Sequence, residues 1–214
     1  MNNDKIWIIC AMEDEAQIIV NKYKLQQINN KFFKIYSWKA YNKEIILLVS
    51  KIWKVYSTAW TTYLIQNFKI EKLINIWLSG WLTREKKIWK TFQITKAIQH
   101  DAFVPWDWEH LKYFQGEIIL PKISDFPTWT CLTWDQFIDD KVECKKLSEK
   151  WDIVEMEAYA IASVAQIFDK PLLILKSISD NASLDAKWDF YENLKTSMED
   201  WVQTLDKVLS ENLF

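Results

Sequence analysis

With 214 residues, half of them apolar and 26% charged, the chain is long enough to build one α/β domain around a sizeable core. A net charge of -2 and a single arginine, Arg84, argue against a nucleic-acid surface or a planar phosphate clamp. The start lacks the basic-then-apolar pattern of a leader and no apolar run is long enough for a bilayer, so a cytoplasmic protein is expected.

Residues 5–12, KIWIICAM, form a short apolar, β-branched run that reads as a buried strand. The stretch 13–24 follows with acids in its first turn and helical spacing. KEIILLVS (43–50) reads as a second buried strand, 55–68 as a helix and KLINIWL (72–78) as a third strand. FQITKAIQ (92–99) alternates and is a fourth. Residues 100–128, with Pro105, Pro121 and Pro127, read as irregular. A short strand at 130–134, a polar helix at 139–150 and a strand at 152–156 come next, the last running into a helix at 157–168. PLLILKSIS (171–179) is a buried strand, and 188–213 is a long amphipathic helix. Strands alternating with helices predict a covered, largely parallel sheet in an α/β layer architecture. Ligands of such sheets bind beyond the carboxyl ends of the strands.

Acids collect at those ends. Glu13, Asp14 and Glu15 follow the first strand, Glu155 and Glu157 end the strand at 152–156, and Asp180 ends the strand at 171–179. Each alone reads as a helix cap, because a carboxylate complements the positive end of a helix. Three clusters on one sheet edge also suit glycosidic cleavage, where one carboxyl donates a proton and another activates water. Phe137 reads as a core residue, and His100–Asp101 as a loop histidine bonded to its neighbour. Cys10, Cys131 and Cys144 are an odd, scattered set with no adjacent histidine, which argues against disulfides, zinc and a thiol nucleophile. The REKK run, 84–87, reads as a solvated turn.

Composition holds one anomaly, 14 tryptophans against 2 glycines. An ordinary chain of this length has about 15 glycines.

In order, KIWIICAMEDEA, SKIWKVYSTAWTT, NIWLSGWLT, KIWK, HDA, LTWDQFI, VEMEAYAIA and SISDNA resemble the methylthioadenosine/S-adenosylhomocysteine nucleosidases of the nucleoside phosphorylase/hydrolase superfamily. The likeness spans about residues 5–195. It implies a single-domain, three-layer fold whose central sheet, mostly parallel or mixed, is flanked by helices. It implies a small-molecule nucleoside substrate, water as nucleophile, no cofactor or metal, no nucleic-acid or membrane partner, and a homodimer. Carried over residue by residue, Glu15 matches the acid that activates water, and Asp180 the acid that protonates adenine at N7. Glu157 matches the carboxylate on the ribose hydroxyls, with Met156 and Met12 beside the sugar and Glu155 in the same substrate-binding motif. Phe137 would stack on adenine while the Ile138 backbone reads its edge. Phe190 would line the pocket for the 5′-thio substituent. Ser179, next to Asp180, is expected to combine with burial in raising the Asp180 pKa. Leu78 departs from a small polar residue in many relatives, and Lys176 from a common arginine.

The family has glycine where this chain has Trp7, Trp53, Trp60, Trp77, Trp81, Trp89 and Trp134. A UGA codon used for glycine but translated as tryptophan accounts for this. The alternatives to adenine-releasing hydrolysis are a phosphate-dependent purine nucleoside phosphorylase, a hydrolase of futalosine or AMP, and a non-catalytic nucleoside-binding relative. The phosphorylases carry arginines near the first strand and after the second, where this chain has none.

Overall fold

The computed structural model describes residues 5–29, 33–82, 91–102, 115–123, 125–182 and 186–214. The REKK turn, Trp89, Pro105 and residues 103–114 of the 100–128 loop lie outside these. The element order is β1 (Lys5–Cys10), α1 (Glu13–Tyr23), β2 (Gln26–Asn29), β3 (Lys34–Ala40), β4 (Lys43–Val49) and α2 (Lys54–Asn67). It continues with β5 (Lys72–Trp81), β6 (Thr91–Gln99), β7 (Glu117–Ile119), β8 (Thr128–Thr133) and α3 (Lys141–Ser148). Then come β9 (Ile153–Glu155), α4 (Ala158–Ile167), β10 (Leu172–Asp180) and α5 (Ala186–Ser210).

Among the described residues ten strands join in one sheet, in the order β10-β6-β8-β9-β5-β1-β4-β3-β2, with β7 on β6. An extra β10–β5 pairing closes β5, β10, β6, β8 and β9 into a ring, leaving β1, β4, β3 and β2 as an open wing. The pairings are evenly mixed instead of largely parallel. β1–β4, β1–β5, β5–β10, β6–β8 and β8–β9 run parallel. β6–β10, β2–β3, β3–β4, β5–β9 and β6–β7 run antiparallel. The reversals come from short hairpins and strand returns, which apolar runs do not reveal.

Burial on both faces explains why the central strands are continuously apolar. Along β1, Ile6, Ile8 and Cys10 face one core with Met198, Trp201 and Leu205 of α5. Trp7 and Ile9 face the other core with Leu64 of α2 and Ile161 of α4. Helices on both sides of the sheet make three layers. A third, smaller core of Leu132, Ile138, Leu147, Val154 and Ala182 lies beneath the 135–147 segment and fastens it to the sheet. Among the described residues no helix is long and apolar enough to cross a membrane.

Candidate active site

Seven segments converge on one cavity of about 500 Å³, among them the β4–α2 junction with Ile52 and Trp53. The β1–α1 junction brings Met12 and Glu15, and β5 brings Trp77, Leu78, Ser79 and Gly80. The segment after β8 supplies Asp135 to Asp139, and the β9–α4 junction supplies Glu155, Met156 and Glu157. Ser179 and Asp180 come from the end of β10, and Lys187, Phe190 and Tyr191 from the start of α5. All eleven residues singled out from the sequence for catalysis or substrate binding therefore line a single cleft.

The four buried carboxyl groups differ in how far the protein has already used their oxygens. Glu155 is saturated. Its Oε2 accepts from the N–H groups of Glu157 (3.0 Å) and Ala158 (2.8 Å) and from Lys176 Nζ (2.8 Å). Its Oε1 accepts from the Thr133 hydroxyl at 2.6 Å. Burial pushes its pKa up, but Lys176, Thr133 and the Glu157 N–H outweigh that and hold it below the ordinary range. Glu155 thus realises the capping reading, since it closes the α4 N-terminus. Lys176 itself is fully buried, with its ammonium 5.3 Å from the Trp77 ring centroid.

Asp180 sits past a register shift between β10 and β5, the kind of irregularity that re-aims a side chain at a sheet end. Its Oδ1 accepts from the Ala182 N–H at 2.8 Å and its Oδ2 from the Ser179 hydroxyl at 2.9 Å. Burial raises its pKa to about 6, helped by the charge of Asp189. The Ser179 hydroxyl works against burial. As a donor it stabilises the carboxylate and lowers the pKa, so the expectation that Ser179 helps to raise it is corrected. Gly80 makes room for this carboxyl group, because a Cβ there would stand 2.9 Å from Asp180 Oδ1.

Glu15 and Glu157 are the least committed. Glu15 accepts only from the Met12 N–H at 3.3 Å, and Glu157 only from the Trp53 N–H at 2.9 Å, among the described residues. Burial raises Glu15 to about 7, against the Met12 N–H and the Lys176 charge. Burial, with the Glu155 charge next, lifts Glu157 well above the usual carboxylate range. Two acids with free oxygens and raised pKa values, facing a third poised near 6, form an acid–base set.

Phe137 is not a core residue. It is 48% exposed in the segment that walls the cavity, while Ile138 is buried against the small core below. His100 and Asp101 do not pair. The His100 ring packs against Trp134 with centroids 4.7 Å apart, and Asp101 binds Lys54. Sequence reasoning missed the Trp53 N–H, Gly80 and Asp135 as site features. Gly80 had a signal, being one of only two glycines and lying at a strand end. A main-chain donor has none. Among the described residues no group of three or more His, Cys, Asp or Glu is placed to hold a metal ion.

Six carboxyl residues, Glu15, Asp135, Asp139, Glu155, Glu157 and Asp180, line the cavity against one lysine, Lys187. Such a wall favours cationic character in a bound molecule and disfavours a polyanion.

A fold and a cleft of this kind belong to a known group of enzymes. The family model of the Phosphorylase superfamily matches residues 5–213, and the chain is a member of that superfamily. A 5′-methylthioadenosine/S-adenosylhomocysteine nucleosidase of Buchnera aphidicola is 30% identical, the match covering 88% of this chain and 82% of that protein. An aminodeoxyfutalosine nucleosidase of Helicobacter pylori is 29% identical over 97% of this chain and 98% of its own. Among solved structures, the Helicobacter pylori 5′-methylthioadenosine/S-adenosylhomocysteine nucleosidase with butyl-thio-DADMe-Immucillin-A superposes with a TM-score of 0.87 at 27% identity. It covers 99% of this chain and 100% of its own.

Proposed function

We propose that this chain hydrolyses the N-glycosidic bond of 5′-methylthioadenosine and S-adenosylhomocysteine, releasing adenine and the 5-thioribose product. The observation that carries the reading is the shared cleft of Glu15, Glu157 and Asp180, with raised pKa values and six carboxyl residues against one cation. Asp180 gives its proton to N7 of adenine, and the C1′–N9 electron pair leaves with the base. Positive charge then develops on the ribose, and the surrounding carboxylates stabilise it. Water adds its oxygen to C1′ and loses a proton to Glu15. Glu157 holds the ribose hydroxyls, Met12 and Met156 pack beside the sugar, and Phe137 stacks on the base. Phe190 borders the 5′-thio group, Leu78 takes the place of a polar neighbour, and solvent returns the proton from Glu15 to Asp180. Glu155, whose oxygens are all engaged by the protein, positions the loop that carries Glu157.

Water is favoured over phosphate because the cavity lining offers a dianion a single cation, Lys187, against six carboxyl residues. A second reading, cleavage of an aminodeoxyfutalosine-type nucleoside, is supported by the 29% identical relative that acts under that name. We also propose a homodimer, for which Val55 and Tyr56 of α2 offer exposed apolar surface, and a cytoplasmic location suited to three free cysteines.

The test is incubation of purified protein with methylthioadenosine, with and without phosphate, and with aminodeoxyfutalosine in competition. Free methylthioribose at a rate independent of phosphate is the expected product. The 1-phosphate, or turnover only of the competitor, would replace the reading.

A further inference from the structure

Residue 53 precedes the first turn of α2 with φ 83° and ψ 152°. This region of backbone space is essentially closed to any residue with a Cβ. Tryptophan nevertheless occupies it, and the indole gives nothing back. The residue is 46% exposed, and its ring makes no hydrogen bond or aromatic contact among the described residues.

What holds the conformation is the main chain. The residue 53 N–H donates to Glu157 Oε1 at 2.9 Å. Its carbonyl accepts from the Ser57 N–H at 3.1 Å and the Ser57 hydroxyl at 2.9 Å. The next N–H, of Lys54, reaches Asp135 Oδ1 at 3.0 Å. Upstream, the N–H groups of Ser50 and Lys51 bond the carbonyls of Cys10 (2.8 Å) and Ala11 (3.0 Å). The segment is pinned at both ends, so turning φ to a negative value would swing the N–H away from Glu157.

We propose that residue 53 is a main-chain positioning residue for Glu157, and that the working form of the enzyme has glycine there. Independent packing facts point the same way. The indole N–H groups of Trp7, Trp38, Trp60 and Trp201 are buried with no hydrogen-bond partner among the described residues. Buried tryptophans ordinarily find one, and a glycine would leave no such group. Fourteen tryptophans beside two glycines fit one substitution repeated along the chain. The effect on ribose binding rests on the nucleosidase reading; the backbone claim does not.

The experiment compares the tryptophan protein with W53G and W53A, each alone and with E157L, which removes the acceptor at residue 157. The readouts are the melting temperature, kcat and KM for adenine release, and Kd for a non-hydrolysable 5′-methylthio nucleoside analogue. W53G should melt higher than W53A, which keeps the Cβ and therefore the strain. W53G should also raise kcat/KM at least tenfold, and W53A less than threefold. In the E157L background the W53G gain in analogue affinity should vanish while the gain in melting temperature stays. Equal gains from W53A and W53G would blame the bulk of the indole and overturn the proposal, as would an affinity gain that survives E157L. Should the tryptophan protein be insoluble, the same comparison is made with Trp7, Trp38, Trp60 and Trp201 also changed to glycine. If no variant releases adenine, the nucleosidase reading fails, while the melting difference between W53G and W53A still decides the backbone claim. Codon 53 of the gene should be UGA, and UGG there would overturn the glycine assignment.

Discussion

Gly80 and Asp180 are opposite one another where β5 and β10 end, and the gap between them admits no further atom. A Cβ on residue 80 would lie 2.9 Å from Asp180 Oδ1, 3.2 Å from Ala182 Cβ and 3.4 Å from Val154 Cγ1. Restoring ordinary contact needs a shift of roughly 0.5 Å, given carbon contact optima near ~3.5–4.0 Å. Asp180 has no free direction in which to retreat, because Ala182 N–H and the Ser179 hydroxyl hold its two oxygens. Ala182 is also one of the crowded neighbours. Overpacking of this kind costs about 1–3 kcal/mol. In a chain of this size that lowers the melting temperature by about 2–12 °C. A misplacement of about 1 Å can cost ~100-fold in rate, so half that displacement should lower kcat of G80A by roughly 10-fold. Weakened bonds from Ala182 and Ser179 should also let the Asp180 pKa rise, moving the acid limb of the rate profile upward. The assay is adenine release across pH beside a thermal melt. A folded G80A enzyme with kcat within twofold of the parent and an unmoved limb would refute the placement of Asp180 as the proton donor.

Changing Asp180 to asparagine keeps an oxygen that accepts from the Ala182 N–H and places an amide N–H that donates to the Ser179 hydroxyl, but removes the acidic proton. Adenine release should fall about 100- to 10,000-fold with little change in melting. The profile of kcat/KM against pH should be a narrow bell, since the proposed mechanism needs Glu15 ionised (pKa about 7) and Asp180 protonated (about 6). With the two values this close only a minority of the enzyme holds both forms at the optimum, so a broad plateau would contradict the proposed roles. Stability carries a related signature. Burial keeps Glu15 protonated up to about 7 against an ordinary 4.5, so the folded state binds more protons in that window. Stability is therefore full below about pH 4.5 and falls as pH rises through 7, by roughly 3 kcal/mol. E15Q should flatten this dependence in melts at pH 5 and 8. Removing the buried cation in K176M should cost about 3–5 kcal/mol by stranding Glu155, and part should return in K176M/E155Q. Because the Lys176 charge lowers the Glu15 pKa, K176M should also lower the maximum of the profile and move its alkaline limb upward.

How far the site was legible depended on the kind of feature. Glu15, Glu157 and Asp180 could be read because carboxylates at strand ends stand out from apolar runs. Glu155 looked the same in the sequence, yet its oxygens are spent on Lys176, Thr133 and the α4 N-terminus. β3 (KIYSWKA) went unread because it joins β4 through Tyr41 and Asn42, both at positive φ, without the glycine that marks such a hairpin turn. The strand order, and with it the mixing of parallel and antiparallel pairs, was equally silent.

The residue pattern alone determined the alternation of strands and helices, the two-sided burial of the sheet and the set of acids at its edge. Those follow from local periodicity, which is written in neighbouring residues. Only the tertiary structure decided which acid is saturated and which is free, how burial raises both Glu15 and Asp180, and that a main-chain N–H at residue 53 holds Glu157. These depend on groups far apart in the chain meeting in a space without water, where hydrogen bonds and desolvation set charge.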